Sequence, residues 1–110
     1  DGKCSVSDVV RWMCEGPAKV YGIQNKGSLV EGYDGDLALV DLETSRTITD
    51  SDTWTKVGWT PYDGMDLVGW PRYTIVDGEI VHKREVDGSL RGVPVAPPGS
   101  VGRALRFRNI

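Results

Sequence analysis

The dipeptide Asp77-Gly78 constrains this chain more than any other feature, because it separates two β-rich runs, Arg72 to Val76 and Glu79 to Arg84. A two-residue type I′ turn needs positive φ at both central positions, and Asp-Gly supplies that at low steric cost. The two runs are therefore expected to pair as a hairpin, with Ile75 and Ile80 sharing a face. Upstream, Asp36 to Asp41 reads D-L-A-L-V-D, with Leu37 and Leu39 on one side and Ala38 and Val40 on the other. Apolar residues on both sides predict a strand covered on both faces. Arg46-Thr47-Ile48-Thr49 is β-branched and predicts another strand. Ser28-Leu29-Val30 reads as a short extended piece ending at Gly32. Asp50 to Met65, interrupted by Gly58, Pro61 and Gly64, reads as irregular. A second turn is expected at Asp87-Gly88. The stretch Gly92 to Gly102, with Pro94, Pro97 and Pro98, is expected to run extended over the surface.

Before Gly22 the period is helical. Val6, Val9, Val10 and Met13 follow the i, i+3, i+4, i+7 spacing of one apolar face. Ser5 suits the N-cap, and Asp8 three residues on partly mimics a capping box. Gly16-Pro17 is expected to break this helix. Pro17 would then open a second short helix to Tyr21, stopped by Gly22. The fold class is thus α+β, mostly β.

At 110 residues the chain is one domain or a piece of one. No apolar run approaches the ~20 residues of a membrane span, and no signal peptide or initiator Met opens the sequence. These features predict no membrane partner and a chain that begins inside a longer one. Net charge is -3. The basic clusters, His82-Lys83-Arg84 and Arg103, Arg106, Arg108, read as solvated strand ends and a solvated tail, so no nucleic-acid partner is expected. Cys4 and Cys14 lie ten positions apart in a mostly helical segment, roughly 15 Å along the axis and beyond disulfide reach. Free thiols point to a reducing compartment, the cytoplasm.

The catalytic signatures are missing. There is no nucleophile elbow and no phosphate loop, and Gly64 to Gly69 is glycine-spaced but precedes a strand. His82, the one histidine, falls in a predicted strand and reads as solvated or packed rather than as a base. One His and two distant Cys do not make a zinc site. Cys14 shares a helix with Arg11, yet that helix reads as packed by Val and Met. Asp34 and Asp36 are the best local acid candidates, with capping of the turns at Gly32 and Gly35 as the favoured alternative. Trp12, Trp54, Trp59 and Trp70 could form an aromatic cage; core and lid packing is the stronger reading. No catalytic, cofactor-binding or metal residue is assigned.

Three stretches resemble the C-terminal end of cyclic amidohydrolases, most closely dihydroorotase. E-G-P-A-K-V-Y-G (Glu15 to Gly22) is similar to that family's N/G-P-A-R-I-Y-G. K-G-S-L-V-E-G-Y-D-G-D-L-A-L-V-D (Lys26 to Asp41) resembles K-G-x-I-x-x-G-x-D-A-D-L-x-L-V-D, with Gly35 in place of Ala, a change not expected to alter the fold. Thr60 to Val81 resembles S-P-F-E-G-x-x-L-x-G-x-x-x-x-T-I-V-x-G-E-x-V. Hydantoinase (dihydropyrimidinase) and allantoinase share these motifs.

The resemblance implies a (β/α)8 barrel flanked by a small β-sandwich built from both chain ends. Residues 1-22 would be the last barrel helix and a short connecting helix. Residues 23-92 would be a β-sandwich segment, and residues 93-110 a proline-containing tail. The family's zinc ligands lie on barrel strands and match no position here, so zinc is expected in the full-length parent and no cofactor in this chain. The implied parent reaction is metal-assisted opening and closing of a cyclic amide in pyrimidine biosynthesis. The expected partner is the missing N-terminal barrel of the same protein, with a homodimer or strand swap when the chain is isolated. Leu37, Leu39, Val40, Ile48, Ile75, Val76, Ile80 and Val81 would form the sandwich core. A same-segment origin in a hydantoinase or allantoinase, or a non-catalytic β-rich interaction module, are the alternatives.

Overall fold

A computed structural model of the chain describes residues 2–84, 93–95 and 102–108. Its helical part is α1 (Val6–Val10), a π-type turn (Arg11–Glu15) and α2 (Gly16–Val20). Ser5 caps α1 reciprocally: its hydroxyl accepts from the Asp8 backbone N–H at 3.1 Å, and the Asp8 carboxylate accepts from the Ser5 N–H at 2.9 Å. The expected break at Gly16-Pro17 does not occur. Gly16 keeps helical dihedrals (φ -59, ψ -55), and its N–H donates back five residues to the Arg11 carbonyl. The wider turn takes up one extra residue just ahead of Pro17. That relieves the clash a proline ring makes with the carbonyl four residues earlier, so helical geometry continues. Gly22, at φ 63, ends the helix as expected.

The sheet is antiparallel, in the order β1 (Leu37–Thr47), β2 (Asp66–Val76), β3 (Glu79–Lys83) and a two-residue β4 (Val93–Pro94). The expected hairpin joins β2 and β3. Val76 pairs with Glu79, and Asp77 (φ 52) and Gly78 (φ 82) both take positive φ. Its first arm is longer than the β-branched run suggested, starting at Asp66. The two strands expected at 36–41 and 46–49 are one strand, β1, with a bulge between Asp41 and Ser45. Asp41 builds that bulge. One carboxylate oxygen accepts from the backbone N–H groups of Glu43 (2.9 Å) and Thr44 (3.1 Å), the other from the Thr44 hydroxyl (2.8 Å). These bonds hold the Asp41 carboxyl below its ordinary pKa. Ser28-Leu29-Val30 pairs with no strand. The turn expected at Asp87-Gly88 lies outside the described residues.

Burial departs most from expectation. Ala18 is the one buried apolar residue among those described. Leu39 is 45% exposed and Val40 50%; Met13, on the helix face that the resemblance lays against a missing barrel, is 72% exposed. Ile48, Ile75, Val76 and Val81 are half-buried. The cause is architectural. A sheet face or helix stripe must lie against a second layer, and no helical segment here comes within 8 Å (Cα–Cα) of a strand. Accessible surface is 8681 Å², against about 6,000 Å² for a compact monomer of this mass. The radius of gyration is 15.8 Å, against about 13 Å. Trp12, Trp54 and Trp59, expected in core or lid packing, are each more than half exposed.

Candidate functional site

Five charged side chains converge where the loop after α2, the hairpin turn and the C-terminal tail meet. Lys26 lies 3.0 Å from Asp34 and also donates to Asp36. The second Asp36 oxygen accepts from the Asp77 backbone N–H at 2.8 Å. Arg103, brought back by the tail, bonds the Asp77 side chain and lies 3.5 Å from Asp34. The tail is held there by backbone bonds between Gln24 and Arg106 and between Arg108 and Gly22, each 2.9 Å. Arg103 therefore clamps two loops, which the reading of the tail as merely solvated missed. No local pattern marks it, because its carboxylate partners lie 69 and 26 positions upstream.

Glycines set how closely these loops approach. The Gly35 carbonyl accepts from the Gly78 N–H at 2.9 Å. A Cβ at Gly35 would sit 2.9 Å from that same nitrogen. Gly35 in place of the motif's Ala is therefore not neutral here: it lets the hairpin turn come closer than an alanine would. At Gly27 (φ 88) a Cβ would meet the Ala18 Cβ at 2.7 Å and the Cys14 carbonyl oxygen at 2.8 Å. That contact seats the loop on the helix.

The cluster is built for holding rather than for proton transfer. Asp36 lies below its ordinary pKa, chiefly through its bond to Lys26 and then through the Asp77 N–H. The Asp36 bond also raises Lys26 above its usual value. An acid catalyst near neutrality needs the opposite shift in its carboxyl. Asp34 and Asp36 are thus brought together as sequence reasoning placed them, in a structural role. Two open clefts flank the cluster. One, about 400 Å³, is lined by Glu15, Lys19, Lys26, Tyr33 and Arg108 among others; the other, about 360 Å³, by Gln24, Asn25, Asp34 and Arg103. Neither is lined by His or Cys.

The remaining candidates stay apart. His82 is a half-buried β3 residue opposite Thr74 and Pro94. Cys4 and Cys14 are free and exposed. No set of three or more His, Cys, Asp or Glu able to hold a metal occurs among the described residues. The Asp34, Asp36 and Asp77 carboxylates do not fit a metal, because Lys26 and Arg103 already pair with them. No described helix is long and apolar enough to cross a membrane.

Comparison with known proteins agrees with the motif reading. Residues 1–81 match the amidohydrolase family. The chain is 32% identical over 105 residues to a dihydroorotase of Methanothermobacter thermautotrophicus, covering 94% of this chain and 24% of that protein. It is 41% identical over 99 residues to a dihydroorotase of Pyrococcus abyssi, covering 89% and 24%. The structure of L-hydantoinase (dihydropyrimidinase) from Arthrobacter aurescens superimposes with a TM-score of 0.69 at 37% identity, over 73% of this chain and 18% of that one. The chain thus spans about a quarter or less of the length of these relatives. By the match over residues 1–81 and by these identities, it belongs to the amidohydrolase family.

Proposed function

We propose that the chain is the C-terminal structural part of a dihydroorotase-like cyclic amidohydrolase and is inactive alone. The observation that carries this reading is the pair of bare apolar surfaces, the Val6, Val9, Val10 and Met13 stripe and the Leu39, Val40 and Leu42 stretch of β1, all exposed. Residues 1-22 would supply the last barrel helix and its connection, with Val6, Val9, Val10 and Met13 laid on barrel strands. Residues 23-92 would supply one layer of the flanking sandwich, whose second layer covers Leu37 and Leu39. Residues 93-110 would form the tail that carries the Arg103 clamp. The parent would hold zinc on its barrel and interconvert dihydroorotate and N-carbamoyl-aspartate in the cytoplasm. The L-hydantoinase likeness keeps a related cyclic amide as the second reading.

The test is to read the coding region upstream of Asp1 for an in-frame barrel with an H-x-H pair. The full-length product and the 110-residue chain are then assayed on dihydroorotate, hydantoin and allantoin. Turnover of dihydroorotate by the full-length protein alone is expected. Turnover by the short chain would overturn the structural role, and preference for hydantoin or allantoin would select the second reading.

A further inference from the structure

We infer that Arg72 and Arg84, the latter set on the Trp70 ring, form a binding site for an oxyanion, a carboxylate or a phosphate group. The Arg84 backbone N–H donates to the Arg72 carbonyl at 2.9 Å, so these two residues lie directly across strands. Like charges in that arrangement destabilise a sheet unless something compensates them. The Arg84 guanidinium sits 5.0 Å from the Trp70 ring centroid, and Trp70 is fixed by its indole N–H donating to the Leu67 carbonyl at 2.9 Å. Burial, followed by the nearby charge of Arg46, lowers the Arg84 pKa.

Compensation among the described residues is incomplete. Asp41 lies 3.8 Å from Arg72, but its oxygens already serve the β1 bulge. Asp52 acts on Arg84 electrostatically. Arg72 Nε, Arg84 Nε and Arg84 Nη1 are buried without a hydrogen-bond partner, which is costly for charged donors. The Arg72 side chain is one-third exposed, so an anion from solvent meets Arg72 first, and the unpaired donors open to it as the side chains turn. Guanidinium forks match carboxylate and phosphate oxygens in pairs, and the long side chains can turn their unpaired edges toward a bound group. Trp70 and Arg72 also fall within the four positions that the family motif leaves open between Gly69 and Thr74, so this feature is separate from the resemblance.

The oxyanion can be a free small molecule or an acidic side chain from the longer polypeptide. Phosphate and acetate are titrated against the chain, alone and in the full-length protein, at constant ionic strength set with chloride. The arginine Nε–H resonances are followed by NMR. In the isolated chain, saturable shifts at Arg72 and Arg84 are expected, lost in Arg84→Gln and weakened in Arg84→Lys, which keeps the charge but not the fork. The same shifts in the full-length protein would identify a free ligand. No shift there, with a lower Tm for full-length Arg84→Gln, would identify an acidic side chain. No saturable shift in either form, with an unchanged Tm for full-length Arg84→Gln, would overturn the site.

Discussion

Gly27→Ala tests how the loop of residues 23–36 is seated on the helix. The substitution meets two penalties at once. Gly27 has φ 88, a region that costs a residue with a Cβ roughly 1–2 kcal/mol. The new methyl would also sit 2.7 Å from the Ala18 Cβ and 2.8 Å from the Cys14 carbonyl oxygen. Neither neighbour is the loose end of a long side chain, so the loop or the helix has to move. Overpacking of that kind costs about 1–3 kcal/mol, giving a total of about 2–5 kcal/mol. Gly32→Ala is the control: its φ is 86, and a Cβ there meets nothing within 4 Å. It carries the backbone penalty alone. Urea denaturation of the two variants and the parent chain, followed by far-UV circular dichroism, separates the terms. Gly27→Ala should lower the midpoint well beyond Gly32→Ala. Because Ala18 is the one buried apolar residue among those described, Gly27→Ala also removes the loop from what little core there is. Equal midpoints for the two variants would refute the close seating.

Three further outcomes follow from the same geometry. Stability should show two limbs linked to one ion pair. Asp36, lowered from 3.8, contributes above its unfolded pKa and loses that contribution as pH falls through its folded value; Lys26, raised from 10.5, contributes fully below its unfolded pKa and loses that contribution as pH rises through its folded value. Asp36→Asn should flatten the alkaline limb and part of the acid limb of urea midpoint against pH, and a profile parallel to the parent's would count against the pairing. Ser5→Ala removes the reciprocal cap of α1 and should cost about 1 kcal/mol of helix stability, read as lost ellipticity at 222 nm. The isolated chain should dimerise or exchange strands, because β1 is an open sheet edge carrying exposed Leu39, Val40 and Leu42. A concentration-independent monomer mass in light scattering would contradict this.

What was legible in the sequence divides by the range of the interaction. The Ser5–Asp8 cap, the Gly22 stop and the Asp77-Gly78 turn were legible because each depends on residues within a few positions. The continuity of β1 was not, because D-L-E-T-S looks like an interruption until Asp41 folds its carboxylate onto Glu43 and Thr44. Passage of the helix through Gly16-Pro17 was missed for a similar reason: a π-type turn has no strong composition of its own. Arg103 was missed because its carboxylate partners come from two distant loops. The close approach at Gly35 was missed because a small-for-small exchange looks harmless until the turn that it faces is known.

The failure of the core expectation says most about function. The apolar run Leu37 to Val40 and the helical period of Val6, Val9, Val10 and Met13 mark these residues for burial, yet among the described residues the helix stripe, Leu39 and Val40 stay exposed. Periodicity reports which face wants cover; it does not say where the cover comes from. Local conflict between pattern and burial normally flags a strained or functional site. Here the conflict runs along both the helix stripe and the first strand, while the hairpin turn, the cap and the ion cluster are all satisfied. A misassigned register would put polar residues inward on one strand and leave the others correct. An uncovered layer leaves the elements well formed and whole apolar faces bare, as the helix stripe and β1 are here. Under the proposed reading, the chemistry would lie in whatever covers those faces, and the charged cluster of Lys26, Asp34, Asp36, Asp77 and Arg103 would be the tie that keeps this layer in shape.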